Sequence, residues 1–295
     1  MSMDTSVTIP FPRRILCPTD FSELATFALR YAAELARCSN AQLLVMHADP
    51  FLLPPYLTAG EIEEWLQALE RAKAATRHYL VEHVRSVVGT QRDVESLLVE
   101  DSPARAILET ARRREADLIV MGTHGRSGLS RVMLGSVTER VLRESDRPVL
   151  TIRYKADVSS GSPVSIRHLL CPVNYTPIAR KALQHAVSLA QCFGAELTVV
   201  HVLEDEAPKA SDREALARLC EWVPEDARSH CHVKELVRRG DAAEQIIETA
   251  RALGSDLIVL GAQHKRFFDT TVIGTTTVRV TRHAPCPVLV IPSRG

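Results

Sequence analysis

The sequence predicts an α/β protein made of two copies of one domain, each a parallel sheet covered by helices on both faces. The chain repeats itself: Arg14–Ala48 aligns with His168–Val202 at an offset of 154 residues, with identities that include Cys17/Cys171, Pro18/Pro172, Cys38/Cys192 and His47/His201. A second block, Ile107–Gly122, pairs with Ile246–Gly261 at an offset of 139, and "RPVLTI" from Arg147 pairs with "CPVLVI" from Cys286. The second copy therefore lacks about one helix-sized insert between the blocks, and the period is far too long for a solenoid. Within each copy, short apolar runs alternate with amphipathic stretches. Strands that apolar are buried on both faces, and right-handed crossovers then give a doubly wound sheet.

The elements of the first copy follow in order. Ile15–Cys17 is a short apolar run ended by Pro18, a buried strand. Ser22 can cap the next helix, which places Ala25, Ala28, Leu29, Ala32 and Leu35 on one face. Leu43–His47 is the second strand. Glu61–Val88 is a long helical stretch with few breakers, Val94–Val99 a third strand, and Ser102-Pro103 opens another helix. "DLIVMG" is a fourth strand ending in glycine, Gly135–Arg143 a helix, and "PVLTIR" a fifth strand. The Ser-, Gly- and Pro-containing stretch Tyr154–Ile166 reads as a linker. The expected domains are thus 1–153 and 167–295, joined by 154–166.

Composition excludes several function classes. The 295 residues carry 36 Lys+Arg and 36 Asp+Glu, divided almost evenly between the halves. Neither half has the basic excess that drives nonspecific nucleic-acid binding. No apolar run approaches the ~18 residues of a membrane helix, and the N-terminus lacks a secretory signal. The seven cysteines are an odd count without a disulfide-framework spacing, so reduced thiols and a cytoplasmic location are expected.

A doubly wound sheet binds ligands beyond the carboxyl ends of its strands, where the strand order reverses. The loop after the fourth strand carries Gly122, Gly125 and Gly128, with Gly135-Ser136 opening a helix. Glycines let backbone approach a phosphate, and the N–H groups of a helix start attract anions. Ser136 and Thr138 add hydroxyls, and Arg126 and Arg131 add charge. The loop is neither a Walker loop nor a dinucleotide fingerprint, and a plain glycine-rich connection explains it equally well. Asp20, just past the first strand, could accept from ribose hydroxyls or hold a metal with phosphates. Helix capping by Asp20 or Ser22 explains that residue as well.

Gly122-x-x-Gly125, nine residues, then Gly135-Ser136 resembles the nucleotide-binding signature of the universal stress proteins. "ILCPTDFSELATFAL", "LLVMHA" and "SDRPVLTIR" look like that family's first strand and turn, second strand and last strand. The resemblance covers nearly the whole chain, once in each half. It implies a tandem of flavodoxin-like, Rossmann-like domains with strand order 3-2-1-4-5, and an ATP site, or one for ADP or AMP. Asp20 would bind ribose, with Pro18 and Thr19 shaping the turn. Ala48 would present backbone to adenine beside His47. Met121 and Gly122 would line the nucleotide, while His124, Gly125 and Arg126 approach the phosphates. Gly135, Ser136, Val137 and Thr138 would close around them, with Mg²⁺ bridging the phosphates.

The second copy departs from this pattern. Asn174 stands in place of Asp20, and His264 in place of Gly125. "KRFFDTTVI" has no glycine, although Gly261, Gly274 and Thr275 survive and Val202 takes the place of Ala48. This half is expected to keep the fold and to bind nucleotide weakly or bind something else. Asn174 can still hydrogen-bond a ribose. His230-Cys231-His232, near Cys220, is read as the start of a strand, with the two histidines on one face and the cysteine on the other. That is poor geometry for a tetrahedral metal site, so no metal site is expected there.

Two functions from different classes follow: an ATP-binding stress-response regulator acting through a protein partner, or a slow ATPase or nucleotidyl transferase. No catalytic residue is assigned, although His124 is the first candidate for one and Asp20 the second. For assembly, an open sheet must cover its edges. In the family this chain resembles, the final strand commonly pairs with its equivalent in another domain. Both final strands here are apolar and lie in one chain, so the resemblance implies Val149–Ile152 antiparallel to Val288–Ile291 within it, giving a pseudo-dimer. A homodimer of such chains, or a swapped pairing between two chains, is the alternative arrangement.

Overall fold

The computed structural model describes residues 12–51, 58–89, 93–124, 134–153, 164–204, 212–262, 264–267 and 270–293. Gly125, Arg126, Gly128, Arg131 and Phe268, together with most of the linker, lie outside these residues.

The first half runs β1 (Arg14–Pro18), α1 (Glu23–Ser39), β2 (Gln42–Ala48), α2 (Ala59–Val88), β3 (Val94–Val99), α3 (Pro103–Arg113), β4 (Leu118–Gly122), α4 (Ser136–Glu144) and β5 (Val149–Ile152). The second runs β6 (His168–Val173), α5 (Pro177–Phe193), β7 (Glu196–Leu203), α6 (Asp212–Trp222), α7 (Glu225–His230), β8 (Val233–Arg239), α8 (Ala242–Ala252), β9 (Leu257–Ala262), β10 (His264–Phe267), β11 (Thr270–Ile273), α9 (Thr275–His283) and β12 (Val288–Pro292). The shorter repeat offset is explained here: the 30-residue α2 is matched by an α6 of 11 residues and an α7 of 6.

Local sequence sets the helix ends. The Ser22 hydroxyl caps α1 by accepting from the Ala25 N–H, and Asn40 closes it at φ 54°, a left-handed geometry that Asn tolerates. Pro103 opens α3, where its missing N–H costs nothing. One device recurs at the start of the first strand in both halves. Asp117 accepts from the backbone N–H groups of Arg13 and Arg14, as Asp256 does from Arg167 and His168. Each aspartate ties the start of a first strand to the start of its fourth.

All strands but the β10–β11 hairpin form one sheet of order β3-β2-β1-β4-β5-β12-β9-β6-β7-β8. Each half has the order 3-2-1-4-5, parallel throughout, and the halves meet at β5 and β12. Those two strands are antiparallel, with Val288 facing Thr151, Leu289 facing Leu150 and Val290 facing Val149. Thr151 is fully buried there, and its hydroxyl donates to the Val288 carbonyl at 3.1 Å. One apolar core on each face of the sheet runs through both halves. Among the described residues no helix is long and apolar enough to cross a membrane.

Two expectations are corrected. Cys38 and Cys192, which end α1 and α5, are joined in a disulfide across the seam, so the reading of all seven cysteines as reduced thiols does not hold. Their separation of 154 residues hid a contact that only the approximate two-fold between the halves creates. Second, His230 is the last residue of α7 rather than part of a strand, and its Nδ1 lies 2.7 Å from the Asp226 carbonyl oxygen. Pro224 starts this short helix, and β8 begins only at Val233.

Candidate functional site

The first strand ends in a tight, hydrogen-bonded turn. Thr19 N–H donates to the Met46 carbonyl at 2.8 Å, which holds the end of β1 against β2. The Thr19 hydroxyl accepts from Phe21 N–H at 3.0 Å, and Asp20 Oδ1 accepts from Ser22 N–H at 3.1 Å. Phe21 is thereby held at φ 64°. The two capping alternatives for this segment thus divide: Ser22 caps the helix, and Asp20 closes the turn before it. His47 Nδ1 donates to the Thr19 carbonyl at 2.7 Å, since a carbonyl can only accept. The repeated histidine is therefore a strand-end brace in both halves, because His201 makes the same bond to the Val173 carbonyl at 2.8 Å.

Across the sheet edge, Gly122 ends β4 beneath α1. A Cβ on it would sit 3.0 Å from Leu24 Cγ, which accounts for the missing side chain. The chain returns at Gly135, whose N–H donates to the Thr123 carbonyl at 2.7 Å. A Cβ on Gly135 would lie 3.1 Å from that same carbonyl oxygen and 3.2 Å from His124 Cα. Gly135 has no side chain with which to cap α4, and among the described residues no side-chain cap is made to its first turn, whose N–H groups lack intrahelical partners. The Thr138 hydroxyl is already used: it donates to the Gly122 carbonyl at 2.9 Å and pins α4 to β4.

These segments enclose a cavity of about 360 Å³ at the carboxyl edge of β1 and β4. It is lined by Pro18, Thr19, Asp20, Ala48, Met121, Gly122, His124, Gly135, Ser136, Val137 and Thr138. Every site residue expected in the first half and lying within the described residues is therefore in one place. Ala25, Pro103 and Ile107 also line it and were not anticipated from sequence. The opening of α3 by Ser102-Pro103 was a signal that could have found Pro103 and Ile107, since that helix start follows β3 at the same edge, whereas Ala25 lies in the first turn of α1.

Burial holds the His124 imidazole below the ordinary histidine range, and the nearby Arg153 charge adds to the effect. His124 is therefore neutral near pH 7 and offers a hydrogen bond rather than a charge. Arg153, just past β5, donates to the carbonyls of Thr281 and Arg282 at the end of α9. Arg153 thereby ties the end of β5 to α9 of the second half. Among the described residues no group of three or more His, Cys, Asp or Glu side chains is placed to hold a metal.

The universal stress protein family model matches residues 12–153 and again residues 165–292. The chain belongs to the universal stress protein family. It carries two such domains in tandem. It is 32% identical over 150 residues to universal stress protein MJ0531 of Methanocaldococcus jannaschii, covering 48% of this chain and 82% of that one. A universal stress protein of Mycolicibacterium smegmatis is 24% identical over 298 residues, with 95% of this chain and 97% of that one covered. A solved universal stress protein from Archaeoglobus fulgidus superposes with a TM-score of 0.69 at 21% identity, covering 96% of this chain and 99% of that one, a likeness of fold.

The second universal stress protein domain keeps the turn and changes its surroundings. Asn174 Oδ1 accepts from the Thr176 hydroxyl at 2.6 Å, and Tyr175 takes the left-handed position at φ 61°. The Tyr175 ring packs on His201 and on the edge of Trp222 from α6. Arg218 lies over Tyr175 at 4.4 Å and Arg180 over Trp222 at 4.0 Å. Gly261 is crowded by Ile178, whose carbonyl oxygen a Cβ would approach to 2.9 Å. Val202 follows the His201 brace near the end of β7, and Gly274 starts α9 just before Thr275, again without a side-chain cap. Following β9, His264–Phe267 pairs antiparallel with Thr270–Ile273, His264 opposite Ile273, and β11 packs against α4 of the first domain.

Proposed function

We propose that this chain is an ATP-binding regulator of a stress response, with nucleotide held mainly by the first domain. The observation that carries the reading is the convergence of Asp20, His124 and the start of α4, which has no side-chain cap among the described residues, on one cavity with apolar walls. Its volume lies within the usual range for a small-molecule site. Asp20 accepts from the ribose hydroxyls, Ala48 and Ile107 border the base, and the first-turn N–H groups of α4 bind phosphate oxygens. Gly125 and Arg126, outside the described residues, belong to the same proposed phosphate loop. The cavity offers one carboxylate, which suits Mg²⁺ held chiefly by phosphates and water. In the second domain, Asn174 lacks the charge, and the β10–β11 hairpin uses backbone groups for strand pairing that a phosphate loop would leave open. A cytoplasmic location and a regulatory protein partner complete the reading.

Mass spectrometry of ligand released from purified protein tests it, followed by calorimetric titration of the full chain with ATP. Intact ATP, bound near one equivalent per chain, supports the regulator. Bound ADP with measurable turnover favours a slow ATPase, in which neutral His124 would take a proton from water. Absence of nucleotide binding overturns both.

A further inference from the structure

We propose that Cys38 and Cys192 form a reversible redox couple that staples the two domains together across their pseudo-two-fold axis. The inference stands apart from the nucleotide reading. The two residues occupy equivalent positions at the ends of α1 and α5, 154 residues apart. A residue close to a two-fold axis meets its own equivalent, so a single cysteine repeated by duplication supplies both halves of the bond. The Cα atoms are 5.9 Å apart, inside the range that a disulfide spans without backbone movement.

The surroundings suit both redox states. In the reduced form the Cys38 thiol has an acceptor in the Cys192 carbonyl oxygen, 2.9 Å from its Sγ. Both residues are half-buried at helix ends, within reach of a small thiol. The other cysteines are placed differently. Cys17, Cys171 and Cys286 are buried, and burial raises the thiol pKa of Cys17 and Cys171. Cys231 is pushed up to about 11 by burial, and neither it nor Cys220 is joined to another cysteine. Opening the staple does not part the domains, because the β5–β12 pairing and the shared cores remain. It removes only the covalent tie between the ends of α1 and α5.

The oxidant is a low-molecular-weight disulfide. One cysteine thiolate attacks it, forming a mixed disulfide and releasing one small thiolate. The second cysteine thiolate then attacks the protein-bound sulfur, closing the Cys38–Cys192 bond and releasing the other small thiolate. Two electrons pass from the protein dithiol to the small disulfide, and the two thiol protons end on the released thiols.

The test equilibrates the full chain in glutathione buffers of varied ratio, traps thiols with an alkylating agent under denaturing conditions, and maps the peptides. Oxidised protein should show five alkylated cysteines and a Cys38–Cys192 linked peptide, and reduced protein seven. The interconversion should be complete in both directions, and the melting temperature of the wild type should fall on reduction. Cys38→Ser and Cys192→Ser should each remove that redox response, while a Cys220→Ser control keeps it. Seven free thiols at every ratio, a bond that forms only between chains, or a melting temperature indifferent to redox state would each overturn the proposal.

Discussion

Replacing Asp20 by Asn separates the two roles that this carboxylate plays. The local role is the turn, in which Oδ1 accepts from Ser22 N–H at 3.1 Å. An Asn side-chain oxygen can keep that bond, being an acceptor too; Asn174 occupies the matching turn, where its Oδ1 accepts from the Thr176 hydroxyl instead. The proposed ligand role is acceptance from ribose hydroxyls, where charge matters. Hydrogen bonds to a charged group contribute about 1.5–3 kcal/mol, and neutral ones about 0.5–1.5. The difference, about 1–1.5 kcal/mol, corresponds to a roughly tenfold weaker Kd. Asp20→Asn should therefore weaken ATP binding about tenfold in calorimetry while leaving the melting temperature unchanged. Asp20→Ala loses the turn bond as well and should also lower stability by about 1 kcal/mol. An ATP affinity unaltered in both variants, with the fold intact, would refute the assignment of Asp20 to the ligand.

Gly135→Ala drives a methyl group toward the Thr123 carbonyl and the His124 backbone; denaturant titration should show a loss of about 1–3 kcal/mol, and ATP binding should weaken with it. Leu150→Ala empties a nearly fully buried position at the seam opposite Leu289 and should cost about 2–5 kcal/mol in urea unfolding. His185 on α5, beside a cavity between the domains, is pushed down to about 4 by burial, with the Lys181 charge adding to it. The unfolded chain takes up this proton below about pH 6.5 and the folded one only near pH 4. The stabilisation is therefore complete above pH 6.5 and is lost as pH falls from 6.5 to 4, by about 2–3 kcal/mol. His185→Gln should flatten that part of the pH–stability profile, and an unchanged profile would contradict the burial argument.

Much of the architecture was legible in the sequence because it rests on local rules. Apolar runs of strand length, Ser22 as a cap, Pro103 at a helix start and the duplication of whole blocks need no tertiary information. The antiparallel meeting of β5 and β12 was expected from the family resemblance together with two apolar final strands in one chain, and not from local rules alone. The residues around Asp20 and Gly135 were expected to share a site because the glycine spacing resembles the universal stress protein signature; local rules alone left a capping turn and a plain glycine-rich loop as equal readings. Folding added what depends on distance in space. It divided the Asp20 and Ser22 roles, gave His47 a brace at Thr19, used the Thr138 hydroxyl on Gly122, and brought Ile107 to the cavity wall. It also turned the second domain's altered loop into a hairpin against α4. The clearest case is Cys38 and Cys192: their spacing carries no disulfide signature, and they meet only because the seam between β5 and β12 relates the two domains by an approximate two-fold. Chain connectivity is silent about contacts that a symmetry axis creates between residues 154 positions apart.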